Sequence, residues 1–285
     1  MIDAARRLAA ALEATPYAAR VGLRAGEILG DAATASVPYV PVLANAQGFV
    51  HGGVAASLSV WTAMLAAVAS DRDRAATCRP VSASVSYLAA AREEALHATA
   101  RVASRGRDLV HVEVEVASER GRPVASALAV LRTSPEPPRM PERRAAASLP
   151  DGERRSLVSP FSQSMGIDVR RHDAASVAMG LRRDLNEGLG GAIDPGALVA
   201  FADTCAALAC LPSLDERLSG SATLSLAAVF GDPLAAAALA TGRSVAEDGG
   251  VRSALVEIGG DGGGRPSRHA AMTALVSYRF LVAER

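Results

Sequence analysis

The sequence predicts an α+β fold made of two similar units in tandem, each an antiparallel sheet wrapped around one long helix. Three observations carry this prediction: a segment that recurs about half a chain later, two long apolar segments, and a group of strand-like stretches after each of them. A chain of 285 residues is long for one core and sufficient for two domains of about 140 residues.

The recurring segment is TPYAARVGLRA at residues 15–25 and SPFSQSMGIDV at residues 159–169. Both copies begin with Ser or Thr, Pro and an aromatic residue, and both place a glycine five residues after the aromatic one. A strand-like stretch, a glycine-rich turn and a long apolar segment follow each copy in the same order. Similarity at a fixed offset indicates a duplicated structural unit.

The two long apolar segments, residues 54–70 and 196–211, are predicted to be the central helices. Each is apolar almost all round, so each must be covered by a sheet on most of its surface. The first is slightly short for a membrane span and contains several Ser and Thr residues, which favours a buried helix.

Strands are predicted where apolar and polar residues alternate or where β-branched residues cluster. In the first half the predicted strands are 33–41, 82–90, 95–104, 110–118 and 123–132, and in the second half 175–182, 222–230, 235–242, 251–260 and 270–280. The sequences SERGRP and GGDGGGRPSR are predicted to be the turns of the last hairpin in each half.

Domain boundaries follow from a stretch rich in proline and charge between the halves. Residues 135–156 show no apolar periodicity and are predicted to be a linker. The N-terminal domain is then residues 1–134 and the C-terminal domain residues 157–285. Residues 1–14 form an amphipathic pattern with Asp3 and Glu13 and lack the apolar core of a signal peptide.

Composition excludes several classes of function. The formal net charge is zero, with no basic patch that would release counterions from nucleic-acid phosphates. The three cysteines show neither a metal-site spacing nor a disulfide framework, which predicts a reducing, cytoplasmic location. No membrane contact is expected.

The turn before the first long helix reads N-x-x-G-x-x-H-G-G, formed by Asn45, Gly48, His51, Gly52 and Gly53. With the strand SVSYLAAA and the segment ASRGRDLVHVEVEV, it resembles the acyl-CoA thioesterases of the phenylacetate-pathway type, which have the hotdog fold. Two such units in one chain resemble a tandem, or double, hotdog. The resemblance implies thioester hydrolysis with an acid, usually Asp, nine residues after the histidine.

The first half lacks that acid, because Val60 occupies its position. In the same register of the second half, Asp194-Pro195-Gly196 replaces the His-Gly-Gly turn, and Asp203 follows nine residues later. Nine helical residues rise about 13.5 Å, so a turn and an acid on one helix cannot hold the same substrate atom. One site is therefore predicted to combine the first turn with Asp203, and the equivalent site with Val60 and Asp194 is predicted to have decayed.

The resemblance assigns roles in the predicted composite site. Asp203 is the general base, the Gly52 N–H stabilises the oxyanion, and Asn45 and His51 orient the carbonyl or the water. A helping hydroxyl early in the next strand is expected at Ser221, with Ser219 nearly as suitable. Arg105 and Arg107 are the candidates for contact with the CoA phosphates.

The predicted function is hydrolysis of short- or medium-chain or aromatic acyl-CoA thioesters, with coenzyme A as part of the substrate and no metal or redox cofactor. Two or three chains are expected to assemble into a homo-oligomer. Two alternatives remain at this point: an enoyl-CoA hydratase-like lyase on the same fold, and a non-catalytic protein that binds acyl-CoA.

Overall fold

The computed structural model describes residues 3–71, 75–137, 159–173, 176–211, 218–260 and 270–282. The helices in these residues are α1 (Asp3–Glu13), α2 (Pro16–Val21), α3 (Gly52–Ala69), α4 (Pro160–Ser164) and α5 (Pro195–Cys210). The strands of the first half are β1 (Arg24–Leu29), β2 (Ala32–Val37), β3 (Thr77–Tyr87), β4 (Leu96–Arg105), β5 (Leu109–Ser118) and β6 (Pro123–Ser134). The strands of the second half are β7 (Ile167–His172), β8 (Ser176–Leu181), β9 (Leu218–Phe230), β10 (Ala238–Asp248), β11 (Val251–Gly260) and β12 (Met272–Val282).

All of these strands join one antiparallel sheet in the order β1-β2-β4-β5-β6-β3-β9-β12-β11-β10-β8-β7. The order within the second half mirrors that within the first, as expected for two copies of one unit. The halves meet where β3 pairs with β9, with Ser84 opposite Ala227. The predicted α+β architecture of two tandem hotdog units, each with a sheet around a central helix, is confirmed.

The central helices are buried and pack against each other. In α3, the apolar segment is long and apolar enough to cross a membrane, but 89% of it is buried inside the protein, as the sequence predicts for a core helix. A Cβ atom on Gly53 would lie 2.7 Å from the Cα of Ala200, so the glycine permits a close approach of the two helices. Nearby, the Ser57 hydroxyl bonds the Gly196 carbonyl across the interface at 2.8 Å. These contacts make α3 and α5 antiparallel, and the start of each helix faces the middle of the other.

The recurring segment is a short capped helix. Thr15 and Ser159 are the N-cap residues of α2 and α4, and proline follows each at the first helical position. The repeated glycines, Gly22 and Gly166, have φ angles of +82° and +67°, a left-handed conformation that favours glycine. The repeat therefore marks a turn of helix before each edge strand.

Each predicted strand overlaps an observed one, with ends that differ by up to six residues, as at the end of β10. The two edge strands, β1 and β7, are not among the predicted strands. Strand β1 is mostly exposed and is interrupted by a bulge between Ala25 and Ile28, so it has no regular apolar alternation. Strand β7 is likewise bulged, between Val169 and Arg171.

The predicted linker lies almost wholly outside the described residues, which include only 135–137 of it. The predicted domain boundaries therefore stay a prediction. Most of the predicted turn GGDGGGRPSR also lies outside the described residues. The other predicted turn connects β5 and β6 around Gly121, whose φ is +78°.

Candidate active site

The start of α3 is capped by the side chain of His51. Its Nδ1 atom accepts a hydrogen bond from the Gly53 N–H at 3.0 Å, so the proton of the neutral ring is assigned to Nε2. Burial lowers the pKa of His51, and the nearby Asp203 opposes this change only in part. The ring packs against Phe161 with a centroid separation of 4.9 Å. His51 is thus a neutral side chain that fixes the direction of the helix start.

The cap leaves the N–H of Gly52 available. As the first residue of α3, Gly52 has no acceptor within the helix, and no acceptor among the described residues takes its N–H. There is no room for a side chain, because a Cβ atom would lie 3.0 Å from Asp203 Oδ2 and 3.1 Å from Thr223 Oγ1. A backbone donor at the positive end of a helix dipole therefore sits directly beside the carboxylate of the other helix.

Asp203 is 2% exposed and lies in the middle of α5. Its Oδ1 atom accepts hydrogen bonds from the hydroxyls of Thr223, at 3.0 Å, and Tyr278. Its Oδ2 atom lies 3.4 Å from His51 Nδ1, which is itself an acceptor in the assigned tautomer. Within the described parts of the chain, Oδ2 accepts no hydrogen bond, so this oxygen is free to take a proton.

Two tyrosines surround the carboxylate. Burial, followed by the charge of Asp203, raises the pKa values of Tyr87 and Tyr278 well above the usual value for a phenol. Both therefore remain protonated hydrogen-bond donors at neutral pH. Tyr87 donates to the Gly52 carbonyl at 3.2 Å. The Tyr278 hydroxyl donates to the backbone carbonyl of Asp203 and to the Asp203 side chain.

These groups line a cleft of about 660 Å³ that lies between the two halves. Its walls are mostly apolar and come from the turn before α3, the end of β3 and the last two turns of α5. Five of its residues with polar groups, His51, Gly52, Asp203, Thr223 and Tyr278, meet at one place. An apolar cleft with a few convergent polar groups is the usual form of a small-molecule site.

All five predicted catalytic residues line this cleft, namely Asn45, His51, Gly52, Asp203 and Ser221. Asn45 has a structural contact, because its Oδ1 atom accepts from the N–H groups of Gln47 and Phe49 and holds the turn closed. Its predicted role in orienting the substrate stays a prediction.

Ser221 also lines the cleft, but the hydroxyl that bonds Asp203 belongs to Thr223, two residues further along β9. Residues two apart on a strand share a face, so the sequence locates the correct face but not the correct residue. The side chain of Ser219 lies outside the described residues. Thr223, Tyr87 and Tyr278 are the site residues that sequence reasoning missed.

Arg105 and Arg107 are not among the residues that line the cleft. Arg105 forms an ion pair of 2.7 Å with Asp71 and bonds Ser70, at the C-terminal end of α3. That end is about 27 Å from the helix start, given 18 residues and the rise of an α-helix. Arg105 therefore lies at the opposite end of α3 from the catalytic groups, and the predicted contact of Arg105 and Arg107 with the CoA phosphates stays a prediction. The cleft rim instead carries Arg92, stacked on Phe49 at 4.5 Å.

The equivalent position at the start of α5 has different chemistry. Asp194 caps the helix, and its Oδ1 atom accepts from the Gly196 N–H at 2.7 Å and from Trp61 Nε1 at 2.9 Å. Pro195 occupies the place of Gly52 and has no N–H to offer. Val60, which is 1% exposed, occupies the place of Asp203.

Several solved structures share this fold over nearly the whole chain. Acyl-CoA thioesterase II TesB2 from Mycobacterium marinum is 16% identical, with a TM-score of 0.61, over 99% of this chain and 98% of its own. The tesB protein of Mycobacterium avium subspecies paratuberculosis is 13% identical, with a TM-score of 0.62, over 90% and 96%. A hot dog protein from Alicyclobacillus acidocaldarius is 16% identical, with a TM-score of 0.64, over 92% and 97%. At these identities, the likeness shows the fold.

Sequence comparison matches a part of the chain to a known family. No curated protein matches the chain. Residues 41–132, which run from the turn before α3 into β6, match the family model of the acyl-CoA thioesterase N-terminal domain. The first half of the chain thus contains a segment that matches the acyl-CoA thioesterase domain, and the whole chain shares its fold with solved TesB-type structures.

Proposed function

We propose that the cleft hydrolyses acyl-CoA thioesters at one composite site per chain, built from the start of α3 and the middle of α5. The observation that carries the proposal is the position of the Asp203 carboxylate. Its free Oδ2 atom lies beside the Gly52 backbone and 3.4 Å from His51 Nδ1, although the two helices belong to different halves. The first half supplies a donor and lacks an acid, and the second half supplies the acid.

The proposed reaction begins with the thioester carbonyl oxygen accepting a hydrogen bond from the Gly52 N–H. A water molecule attacks the carbonyl carbon while one of its protons passes to Asp203 Oδ2. The negative charge that develops on the carbonyl oxygen is stabilised by the Gly52 N–H and the helix dipole. Cleavage of the carbon–sulfur bond then releases the thiolate of coenzyme A, which takes the proton, and the carboxylic acid.

Thr223 and Tyr278 fix which carboxylate oxygen acts as the base. Because both hydroxyls bond Oδ1, the carboxylate is held with Oδ2 toward Gly52. His51 contributes by positioning, since its Nδ1 atom is occupied as the helix cap. This arrangement supports a general base acting on water and makes a proton-shuttling histidine unnecessary.

The alternatives have less support in the geometry. The sequence shows no short motif at the helix start that places an Asp and a His together for hydration of an enoyl thioester, and the Asp and His that meet here come from different halves. A protein that only binds acyl-CoA has no need for an aspartate that is 2% exposed and held by two hydroxyls. Hydration of crotonyl-CoA is the assay that would favour the lyase.

The substrate class extends the proposal. We expect short- or medium-chain or aromatic acyl groups, as in the phenylacetate-type relatives, because the cleft walls are apolar and its volume is about 660 Å³. The reaction as proposed uses only groups of the protein and water, with no metal or redox cofactor. A cytoplasmic location and assembly of two or three chains remain expectations, and light scattering on the purified protein would test the latter.

The decisive experiment is Asp203→Asn. The variant keeps the hydrogen bonds to Oδ1 and loses the base, so kcat for acyl-CoA hydrolysis should fall by about 10²–10⁴-fold. Release of free thiol measures the rate, and circular dichroism shows that the fold is intact. Asp71→Asn, which removes a carboxylate at the other end of α3, serves as the control and should hydrolyse normally. Wild-type turnover by Asp203→Asn would refute the mechanism.

A further inference from the structure

A second cavity of about 600 Å³ lies at the start of α5. It is nearly as large as the cleft at the start of α3, and it is bordered by the residues that cap and begin its own central helix, including Asp194 and Pro195. By position, it is the duplicate of the catalytic cleft. The loss of the catalytic residues from this half therefore did not fill the space that they surrounded.

The groups needed for hydrolysis are missing from this second cavity. Pro195 has no N–H, and the N–H of Gly196 is already bonded to Asp194, so no backbone donor faces a substrate carbonyl at the helix start. Val60 stands in place of the base. A thioester that enters this cavity meets neither an oxyanion donor nor a general base.

What the second cavity keeps is an apolar interior. Leu12, Met64, Leu198 and Phe230 line it, and each is at most 9% exposed on the whole chain. Polar side chains, among them Arg79, Arg132 and Glu136, line its more exposed part. The Oδ2 atom of Asp194 has no hydrogen-bond partner among the described residues, but it is fully buried and lies beside Gly188 rather than on the open surface of the cavity.

We propose that the second cavity is a retained binding site for an acyl group, which it holds without hydrolysis. The apolar chain contacts the apolar interior, and the polar end of the acyl group lies toward the exposed polar side chains of the cavity. The acyl group can come from the acyl-CoA substrate or from the carboxylic acid that the catalytic cleft releases. The choice of an acyl ligand rests on the proposed function, because the second cavity duplicates the cleft assigned to acyl thioesters.

The test is a binding experiment on the full chain with two probes that are not hydrolysed. One is decanoic acid, and the other is S-(2-oxododecyl)-CoA, a thioether that keeps the carbonyl group. Isothermal titration calorimetry counts the molecules bound. We expect two per wild-type chain for at least one of the probes, and the probe that reaches this number identifies the source of the acyl group.

Matched substitutions assign the two binding events. Ala192→Trp fills the second cavity from its half-buried rim, and Ala207→Trp, one helical turn after Asp203 and also half-buried, fills the catalytic cleft. Each should reduce the number bound from two to one. Thr133→Trp, on another wall of the second cavity, is a second variant in case Ala192→Trp fails to fold.

A wild-type stoichiometry of one or fewer for both probes that Ala192→Trp and Thr133→Trp leave unchanged would overturn the proposal, as would two molecules bound to these folded variants. These results differ from a failure of the proposed function. If the catalytic cleft does not take acyl groups, Ala207→Trp leaves binding unchanged, and Asp203→Asn leaves turnover unchanged.

Discussion

At the residue scale, the site depends on a contact between a glycine and a carboxylate that belong to different halves. Gly52 lies so near Asp203 that a Cβ atom on it would be only 3.0 Å from the carboxylate oxygen Oδ2. The absence of a side chain therefore serves two purposes. It exposes the backbone N–H to a substrate, and it lets the base lie close to the carbon that the water attacks.

Gly52→Ala should lower kcat by about 10–100-fold, because its Cβ atom, at 3.0 Å from Oδ2, would push the carboxylate out of line. Gly259→Ala is the control, since a Cβ there would have no neighbour within 4 Å. Steady-state kinetics on both variants measure the effect. Equal kcat values for the two would show that the close contact has no role in catalysis.

The hydroxyls on Asp203 give a separate prediction. Thr223→Val removes one donor to Oδ1 and should reduce kcat and destabilise the protein by about 1–3 kcal/mol, because the buried carboxylate loses a hydrogen bond. Ser221→Ala should change neither, since the Ser221 hydroxyl lines the cleft without bonding Asp203. Kinetics and urea unfolding distinguish the two. A larger loss of kcat in Ser221→Ala than in Thr223→Val would show that Ser221, as the sequence predicts, assists Asp203.

At the element scale, the two central helices are capped in chemically different ways, although they occupy equivalent places. A neutral histidine caps α3 and an aspartate caps α5. Burial raises the pKa of Asp194 to about 7, in spite of hydrogen bonds from Trp61 and the backbone. Burial instead lowers the pKa of His51. The same buried helix start thus favours the neutral form of either cap.

Asp194→Asn should change how stability depends on pH. The folded state favours the protonated form of the Asp194 carboxyl, so this group contributes its full stabilisation below the ordinary pKa of 3.8. The stabilisation is lost as the pH rises to about 7. The loss is on the order of 4 kcal/mol, from the size of the shift. Asparagine can still cap the helix and carries no charge, so the variant should gain stability relative to wild type between pH 4.5 and pH 8.

Urea unfolding of both proteins at the two pH values measures this difference. The contribution of His51 has the opposite sign, because its lowered pKa costs stability as the pH falls below its unfolded value. It is present in both proteins and cancels in the comparison. A constant difference between them across this pH range would contradict the prediction.

At the scale of the whole molecule, the sequence was sufficient for the fold and for the pairing of His51 with Asp203. Both predictions follow from the alignment of the two repeats, which places the start of α5 in register with the start of α3. The junction between β3 and β9 could not be predicted in this way. The paired residues there, such as Ser84 and Ala227, are small and carry no signal of their partner. Tyr278 was missed for a similar reason, because its contact with Asp203 joins residues that are 75 positions apart.

The asymmetry of the molecule also predicts the result of restoring the missing acid. Val60→Asp places a carboxylate at a position that is 1% exposed and opposite a helix start without a free N–H. We expect a loss of about 3–5 kcal/mol in the free energy of unfolding and no added hydrolysis. Val60→Thr, which keeps the shape, should cost less. A gain in kcat with Val60→Asp would show that the second site is only one residue away from activity.

The continuous sheet through β3 and β9 has a further consequence for inheritance. When two separate copies of one gene product form such a sheet, every substitution occurs twice, once at each helix start and once at each helix middle. Here the copies are joined, so a change that would harm one place can be kept where it does no harm. Histidine at one helix start and aspartate at the other can therefore coexist in this chain. A symmetric pair of identical chains cannot have different residues at its two helix starts, whereas a single chain with two units can.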